Sequence, residues 1–588
     1  MRPGVAGVNR AAITILLAAA IAMLAFLLRF NALGGALGGF DNDEFFMLTR
    51  ADAILDGEQP LRDFADAELR AVWPSLSYQI PAWSQQLWGR NLAVYATLVC
   101  GALALSASIV FLAARAIAGG WVLPVLAALA VIASYAKPYN YPKPLTLGAA
   151  ILLLWWAILR PAPSAVEGPT KMRIALLAAW TVVAGLFRHD YGVYVGVAFV
   201  VGLLFAPALS SRSPDLVSRG SPDPVRSGSP DLVRSGAVAS IKSGIVRVVW
   251  YAGFALVFAL PSLVWLAIYK GIPSYLTDVL ESIRGEGRRL VSWPAIDPTD
   301  PFRADSLIAF NYYLFWLIPI VATGLLVASW WRRGWGAHHA LGLALVLMTF
   351  TVDYFFLRGN LPARFGDAVV AVALLVVWMA ALASRGRGWA GRFIAPASAS
   401  AVLVAMIAAF FPFNSIAGEL TTGGFIGSET SVVDRRARVS ELLREQPPRV
   451  WADKPREGSM AVARYVAECT APEDRVLVGT LADEIPYFAR RHFAAGQAAF
   501  YSNWLLSEDN QRLALERLAR QSAPVMVTHP DYHGEFEVNY RLVARYVAEH
   551  YREVGLIEYD GRPLFRVYVE TARQPVRTDP VLGYPCFQ

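Results

Sequence analysis

Asp43, in the run FDNDEFF from Phe40 to Phe46, is a carboxylate placed where a general base is useful. Its neighbours read as a helix start, with Asp41 as N-cap, Glu44 closing a capping box and Phe40 packing on Phe45 as a hydrophobic staple. Asp43 falls at the second helical position, which has no reciprocal capping role. A carboxylate there sits at a helix amino terminus, where the dipole keeps it ionised. Taking the proton from an attacking hydroxyl is worth roughly 100- to 10,000-fold in rate. The plain alternative for Asp43 is a solvated surface acid. Asp41 and Glu44 are counted with Asp43 as candidate catalytic acids, although capping accounts for both. Paired carboxylates also suit a hard divalent cation, so Asp41 and Asp43 admit a metal without requiring one.

Cations that suit a phosphate recur in other turns. In FRHDYG, Phe187 to Gly192, the flanking apolar segments Ile174 to Phe187 and Tyr191 to Leu209 are at or below the length that spans a bilayer. Their junction therefore lies within bilayer depth. Arg188, His189 and Asp190 are costly there unless they line a watery cavity or hold a charged ligand. Snorkelling and helix capping form the bland reading. YAKPYNYPKP, from Tyr135, adds Lys137 and Lys143, and FLRGNLPARFGD, from Phe356, adds Arg358 and Arg364. The planar fork of arginine matches phosphate oxygens, although juxtamembrane arginines also bind lipid headgroups. The candidate phosphate-binding set is Arg188, His189, Asp190, Lys137, Arg358 and Arg364.

What positions these residues is a membrane. Of 588 residues, 56% are hydrophobic and 17% charged, and the mean hydropathy is +0.41. Soluble domains carry about 25% charged residues. About eleven apolar segments are expected to span, starting at Ala11 to Phe30 and then roughly at 92–113, 120–136, 144–159, 174–187, 191–208, 248–269, 308–331, 340–357, 368–384 and 393–412. The first follows Arg2 and Arg10 and reads as an uncleaved anchor rather than a signal peptide. With the amino terminus in the cytoplasm, every inner segment is basic, and the first outer loop, 32–91, is acid-rich. That orientation fits a multi-pass protein of the plasma (inner) membrane and places all the candidate residues on the outer face. The net charge of +7 is spread among short loops, as membrane topology requires, which excludes a nucleic-acid binder.

The expected fold is a mainly α, polytopic transmembrane bundle over 1–412, with an extracytoplasmic α/β domain over 413–588. Strands are expected near 475–479, 524–529, 554–559 and 564–569, with helices around Tyr487, over 507–521 and over 538–549. Without a glycine-rich phosphate loop or a triad, that domain reads as a cover or an acceptor-binding element. An inner loop over 210–245 carries near-copies of one octad, SPDLVSRG, SPDPVRSG and SPDLVRSG, from Ser213, Ser221 and Ser229. Its proline and glycine content predicts a disordered basic loop near anionic headgroups. Three cysteines give no framework and no metal spacing. Cys100 lies in an apolar helix, while Cys469 and Cys586 pair only in an oxidising compartment.

The first loop resembles that of the GT-C membrane glycosyltransferases, especially the protein O-mannosyltransferase and aminoarabinose-transferase-like group. The likeness rests on Asp43 and Glu44, a following helix with Ala51 and Gly57, and a Pro-x-x-x-Tyr segment at Pro74 and Tyr78. Helix order and an outer carboxy-terminal domain match as well. The resemblance implies transfer of a sugar, hexosyl or pentosyl and usually with inversion, from a polyprenyl-phosphate donor to a lipid, glycan or protein acceptor outside. It also implies that Asp43 is the base. Many members carry a lysine near the fifth-to-sixth helix turn, where this chain has Arg188, His189 and Asp190. No Trp-Trp-Asp motif marks an oligosaccharyltransferase.

Other classes expect features this chain lacks. A transporter or lipid flippase for envelope glycans predicts internal repeats with broken helices in corresponding halves. A polymer ligase predicts arginine and histidine in one large late loop, whereas the segment from Gly271 to Ser306 has Arg284, Arg288, Arg289 and Arg303 without histidine.

Overall fold

A computed structural model describes residues 3–34, 39–65, 73–134, 136–159, 169–206, 230–287, 293–358, 361–385, 390–427, 429–445, 456–501 and 504–588. Helices dominate up to Phe413: α1 (Pro3–Ala32), α2 (Asn42–Leu55), α3 (Leu76–Trp88), α4 (Leu92–Ala118), α5 (Val122–Ala133), α6 (Pro142–Leu159), α7 (Lys171–Phe187), α8 (His189–Phe205), α9 (Pro230–Tyr269), α10 (Ile272–Gly287), α11 (Ala304–Arg333), α12 (Ala337–Asp353), α13 (Leu361–Ala383) and α14 (Ala395–Phe413). Each apolar segment expected to span is one of these helices. Among the described residues, seven helices are long and apolar enough to cross a membrane. The chain is an integral, multi-pass membrane protein.

α13 is the axis of the bundle. Its residues Phe365 to Trp378 are all nearly or fully buried, because α4, α5, α6, α11, α12 and α14 surround it. Trp378 lies across Gly342 of α12, where a Cβ would collide with the indole, and its Nε1 donates to the His338 carbonyl at 3.0 Å. The chain breaks between α7 and α8 at Arg188, whose backbone is extended, so one residue caps both helices. Each is 17 residues, about 25 Å. At this break Gly185 and Gly192 touch, and a Cβ on Gly192 would stand 2.9 Å from the Gly185 Cα.

The expected disordered loop over 210–245 lies outside the described residues up to 229. From Pro230 the chain is helical instead, so α9 runs through the third octad. Proline at a first helical position loses no helical hydrogen bond, which is why the octad's proline does not bar a helix there.

Past α14 the chain forms a five-stranded sheet ordered β2-β1-β3-β5-β4. β1 (Arg475–Val478) pairs in parallel with β2 (His492–Phe493) and β3 (Val525–Thr528), while β5 (Arg562–Glu570) runs antiparallel to β3 and β4 (Tyr551–Tyr559). Val476, Val478, Val525, Val527, Val567 and Val569 line one buried face against the helix Gly458–Cys469. Cys469 and Cys586 are joined by a disulfide. Both thiols, which stand close to Asp579, are consumed by that bond and offer no metal site.

Candidate functional site

α2 starts as its sequence dictates. Asp41 is the N-cap and accepts from the Asp43 amide at 2.9 Å, while the Asp41 amide donates to Glu44 Oε2 at 2.8 Å. Both residues of the expected staple lie in one buried cluster and make further ring contacts: Phe40 rests on Tyr95, and Phe45 packs on Tyr487 and Phe488 of the sheet domain. Phe46, Ala51 and Ile54 of α2 share a core with Tyr78, Phe493 and Ala498. The first loop is thus held between membrane helices and sheet.

The acids of this turn differ in surroundings. Burial and the Asp41 carboxylate hold the Glu44 carboxyl well above the usual glutamate range. Burial also raises Asp41, but hydrogen bonds from Glu44 and Lys137, and the Lys137 charge, outweigh it and bring its value down. Lys137 Nζ donates to Asp41 Oδ2 at 2.6 Å and stands 4.0 Å from Asp43 Oδ2. Lys137, expected among the phosphate cations, is therefore an ion-pair partner of the acid motif. The Asp43 side chain is 28% exposed, whereas Glu44 is buried.

A single turn then joins acids to cations. Glu44 Oε1 accepts from the Tyr139 amide at 3.1 Å, and the next residue, Asn140, donates to Asp367 Oδ1 at 3.1 Å. Asn140 also accepts from the Tyr191 hydroxyl at 3.3 Å. Asp367 pairs with Lys143 at 3.1 Å and with Arg364 at 3.8 Å. Across from them Arg188 pairs with Asp190 at 2.9 Å, and Tyr194 donates to Asp190 at 3.3 Å. The Lys143 ammonium lies 5.9 Å and 5.7 Å from the Tyr191 and Tyr194 rings. Ser77 of α3 donates to the Phe187 carbonyl at 2.6 Å, tying the first loop to the α7–α8 break. All these turns meet at one end of the bundle.

Of the candidate residues, Asp41, Asp43, Glu44 and Lys137 gather at the α2 start, while Arg188, Asp190 and Arg364 gather around Lys143. His189 is half-buried beside them. Arg358 ends a 3-10 turn, Tyr354–Arg358, but its side chain lies outside the described residues. Arg364 Nε is buried with no partner among the described residues.

Several participants were not singled out from sequence. Asp367 lies in the same motif as Arg364, and its place three residues on was the available signal. Asp353 ends α12, fully buried, with neither carboxylate oxygen partnered among the described residues. A lone acid closing an apolar run is a signal of its own. Asp483 and Glu484 sit against α2 from the sheet domain, and no local pattern marks them.

No protein-family model matches the chain, and no curated protein does either. Among solved structures it is similar to ArnT from Cupriavidus metallidurans, bound to undecaprenyl phosphate, with 13% identity, covering 94% of this chain and 97% of that one, at a TM-score of 0.44. It is also similar to the archaeal oligosaccharyltransferase AglB from Archaeoglobus fulgidus, in complex with an inhibitory peptide and a dolichol-phosphate. There the identity is 11%, the coverage 95% and 75%, and the TM-score 0.43. The apo form of the Archaeoglobus fulgidus oligosaccharyltransferase matches at 12% identity, 92% and 72% coverage, and a TM-score of 0.44.

Proposed function

We propose that this chain is a membrane glycosyltransferase that moves a sugar from a polyprenyl-phosphate donor to an acceptor hydroxyl on the outer face. The observation that carries the reading is the turn Lys137 to Asn140. It touches the acid motif through Lys137 and Tyr139, and the cation cluster through Asn140 and Asp367. A base and a set of phosphate-matching cations are thereby fastened to one short piece of backbone.

In the proposed step Asp43 takes the proton of the acceptor hydroxyl as that oxygen bonds to the anomeric carbon. The bond from that carbon to the phosphate oxygen breaks, and its electron pair leaves on the lipid phosphate. Attack opposite the leaving group inverts the anomeric centre. Arg364, Arg188 and His189 receive the phosphate charge, an electrostatic contribution that grows as the bond breaks. Burial makes such groups more effective than exposed ones, because water does not screen them. Glu44 is structural in this scheme, since its two oxygens accept the Asp41 amide of the capping box and the Tyr139 amide. A divalent cation fits the Asp41 and Asp43 carboxylates by donor type, although Lys137 already neutralises Asp41.

The outer location is supported by the basic inner loops and by the Cys469–Cys586 bond, since such bonds persist outside the cytoplasm. The test is transfer by the purified chain from polyprenyl-phosphate-linked glucose, mannose and arabinose. Release of polyprenyl phosphate that depends on both acceptor and Asp43 supports the reading. Release that is equal for Asp43→Asn removes the base from it.

A further inference from the structure

We infer that Asp483 of the sheet domain is a positioning residue for the catalytic turn, acting through the buried guanidinium of Arg50. The inference rests on the transferase reading and assigns the sheet domain a part in it.

Arg50 lies on α2, seven residues after Asp43, and is fully buried. Its guanidinium sits on the Phe46 ring, 3.2 Å from the centroid, and Nη1 donates to the Phe46 carbonyl at 2.9 Å. Nε and Nη2 make no hydrogen bond among the described residues. A charge in such a place is costly without a countercharge. Asp483 Oδ1, equally buried, supplies it at 3.9 Å and accepts from the Thr49 hydroxyl at 3.3 Å. The hydrogen bond from Thr49 to Asp483 joins residues 434 positions apart.

The grip extends along α2. Asn42, the residue before Asp43, donates from Nδ2 to the Leu481 carbonyl at 2.9 Å. Phe45, two residues after, meets Tyr487 and Phe488 at 5.4 Å and 5.2 Å between ring centroids. The segment Leu481 to Phe488 therefore holds α2 before, just after and two turns beyond Asp43. That segment follows β1, which is hydrogen-bonded on both sides by β2 and β3. A frame of this kind fixes the tilt of α2, and tilt moves a side chain at its first turn. Misplacement by about 1 Å costs roughly 100-fold in rate.

The test uses the full chain in nanodiscs. Deleting one member of the pair strands a buried charge, so Arg50→Met/Asp483→Leu is made together, which replaces both by apolar groups of similar volume. With polyprenyl-phosphate-linked glucose, mannose and arabinose as probes, kcat is expected to fall roughly 10- to 100-fold, with donor KM within about twofold and unfolding temperature little changed. Asp483→Glu, which keeps the charge, is expected to recover most of the rate. Amide hydrogen exchange over residues 42–50 should rise in the double variant. Should that variant not accumulate, Arg50→Lys, which keeps the charge and loses the planar fork that rests on Phe46, is read the same way. Wild-type turnover together with unchanged exchange over 42–50 overturns the inference. If the wild-type chain turns over none of the probes, the transferase reading has failed, and the exchange measurement still decides whether Asp483 sets the position of α2.

Discussion

Glu44 accepts the Tyr139 amide at 3.1 Å across 95 residues of sequence, and this bond fastens the start of α2 to the turn that leads into α6. Its consequence is geometric. The turn cannot shift without moving the acid motif, and through Asn140 and Asp367 it cannot shift without moving Lys143.

The cation cluster should matter to chemistry more than to folding. Arg364→Ala and Arg188→Ala are each expected to lower turnover of a polyprenyl-phosphate-linked sugar by roughly 100-fold, against about twofold or less in folded yield. Steady-state kinetics beside size-exclusion yield checks this. Equal losses in both readouts would reduce either arginine to a structural role.

The contact between sheet domain and α2 should weaken as pH rises. Burial pushes the Glu484 carboxyl up to about 7, with the Asp41 charge adding to the rise, and burial pushes Asp52 to about 6 against the pull of Arg490 and Arg90. A folded state that holds protons more tightly than the unfolded chain loses stability as pH climbs from the ordinary carboxyl value to the folded one. The unfolding temperature in detergent is therefore expected to fall between pH 4.5 and about 7 and to level off above. Glu484→Gln should remove its share of that slope and leave the share of Asp52. A temperature that rises through this window in the wild type would contradict the assignment.

The break between α7 and α8 should not tolerate a side chain. Gly192→Ala places a methyl 2.9 Å from the Gly185 Cα, a backbone atom with no room to yield. Overpacking of this kind costs about 1–3 kcal/mol. The variant should show a lower unfolding temperature and reduced turnover, because Arg188 and Asp190 sit on the displaced backbone. Gly253→Ala, where a Cβ meets nothing, serves as the control.

The Cys469–Cys586 bond links residues 117 positions apart. Closing a loop of that length stabilises by about 4–5 kcal/mol in the chain-entropy account. Cys469→Ser/Cys586→Ser should therefore make the sheet domain sensitive to proteolysis, measured as cleavage after Phe413. Unchanged resistance would show that packing on α2 suffices.

Much of the architecture is readable from the residues because the membrane imposes a strong signal. Apolar runs near the length of a bilayer have to be helices, and α4, α6, α11, α13 and α14 fall where those runs do. The short apolar runs VLV and VMV likewise mark β1 and β3, although the two-residue strand β2 carries too little pattern to find. The capping box of Asp41 and Glu44 was readable because its signature is local. The partners of Lys137 and Phe45 were not. Lys137 reads as an outward cation from its own neighbourhood, and only the approach of α2 turns it toward Asp41. Phe45 reads as half of a staple, and its second set of partners arrives with the helix Glu484–Ala489. Asp483 is the extreme case, since its role depends wholly on a contact between residues more than 400 positions apart. The third octad is helical from Pro230 despite its proline, because a first helical position exempts proline from the usual cost.

The most direct measurement of the central claim is mass spectrometry of envelope glycans and lipids from cells lacking the chain, complemented with wild type or with Asp43→Asn. The account predicts that one sugar disappears on deletion, returns with the wild-type chain and stays absent with the variant, at equal protein levels. Return of that sugar with Asp43→Asn would contradict it.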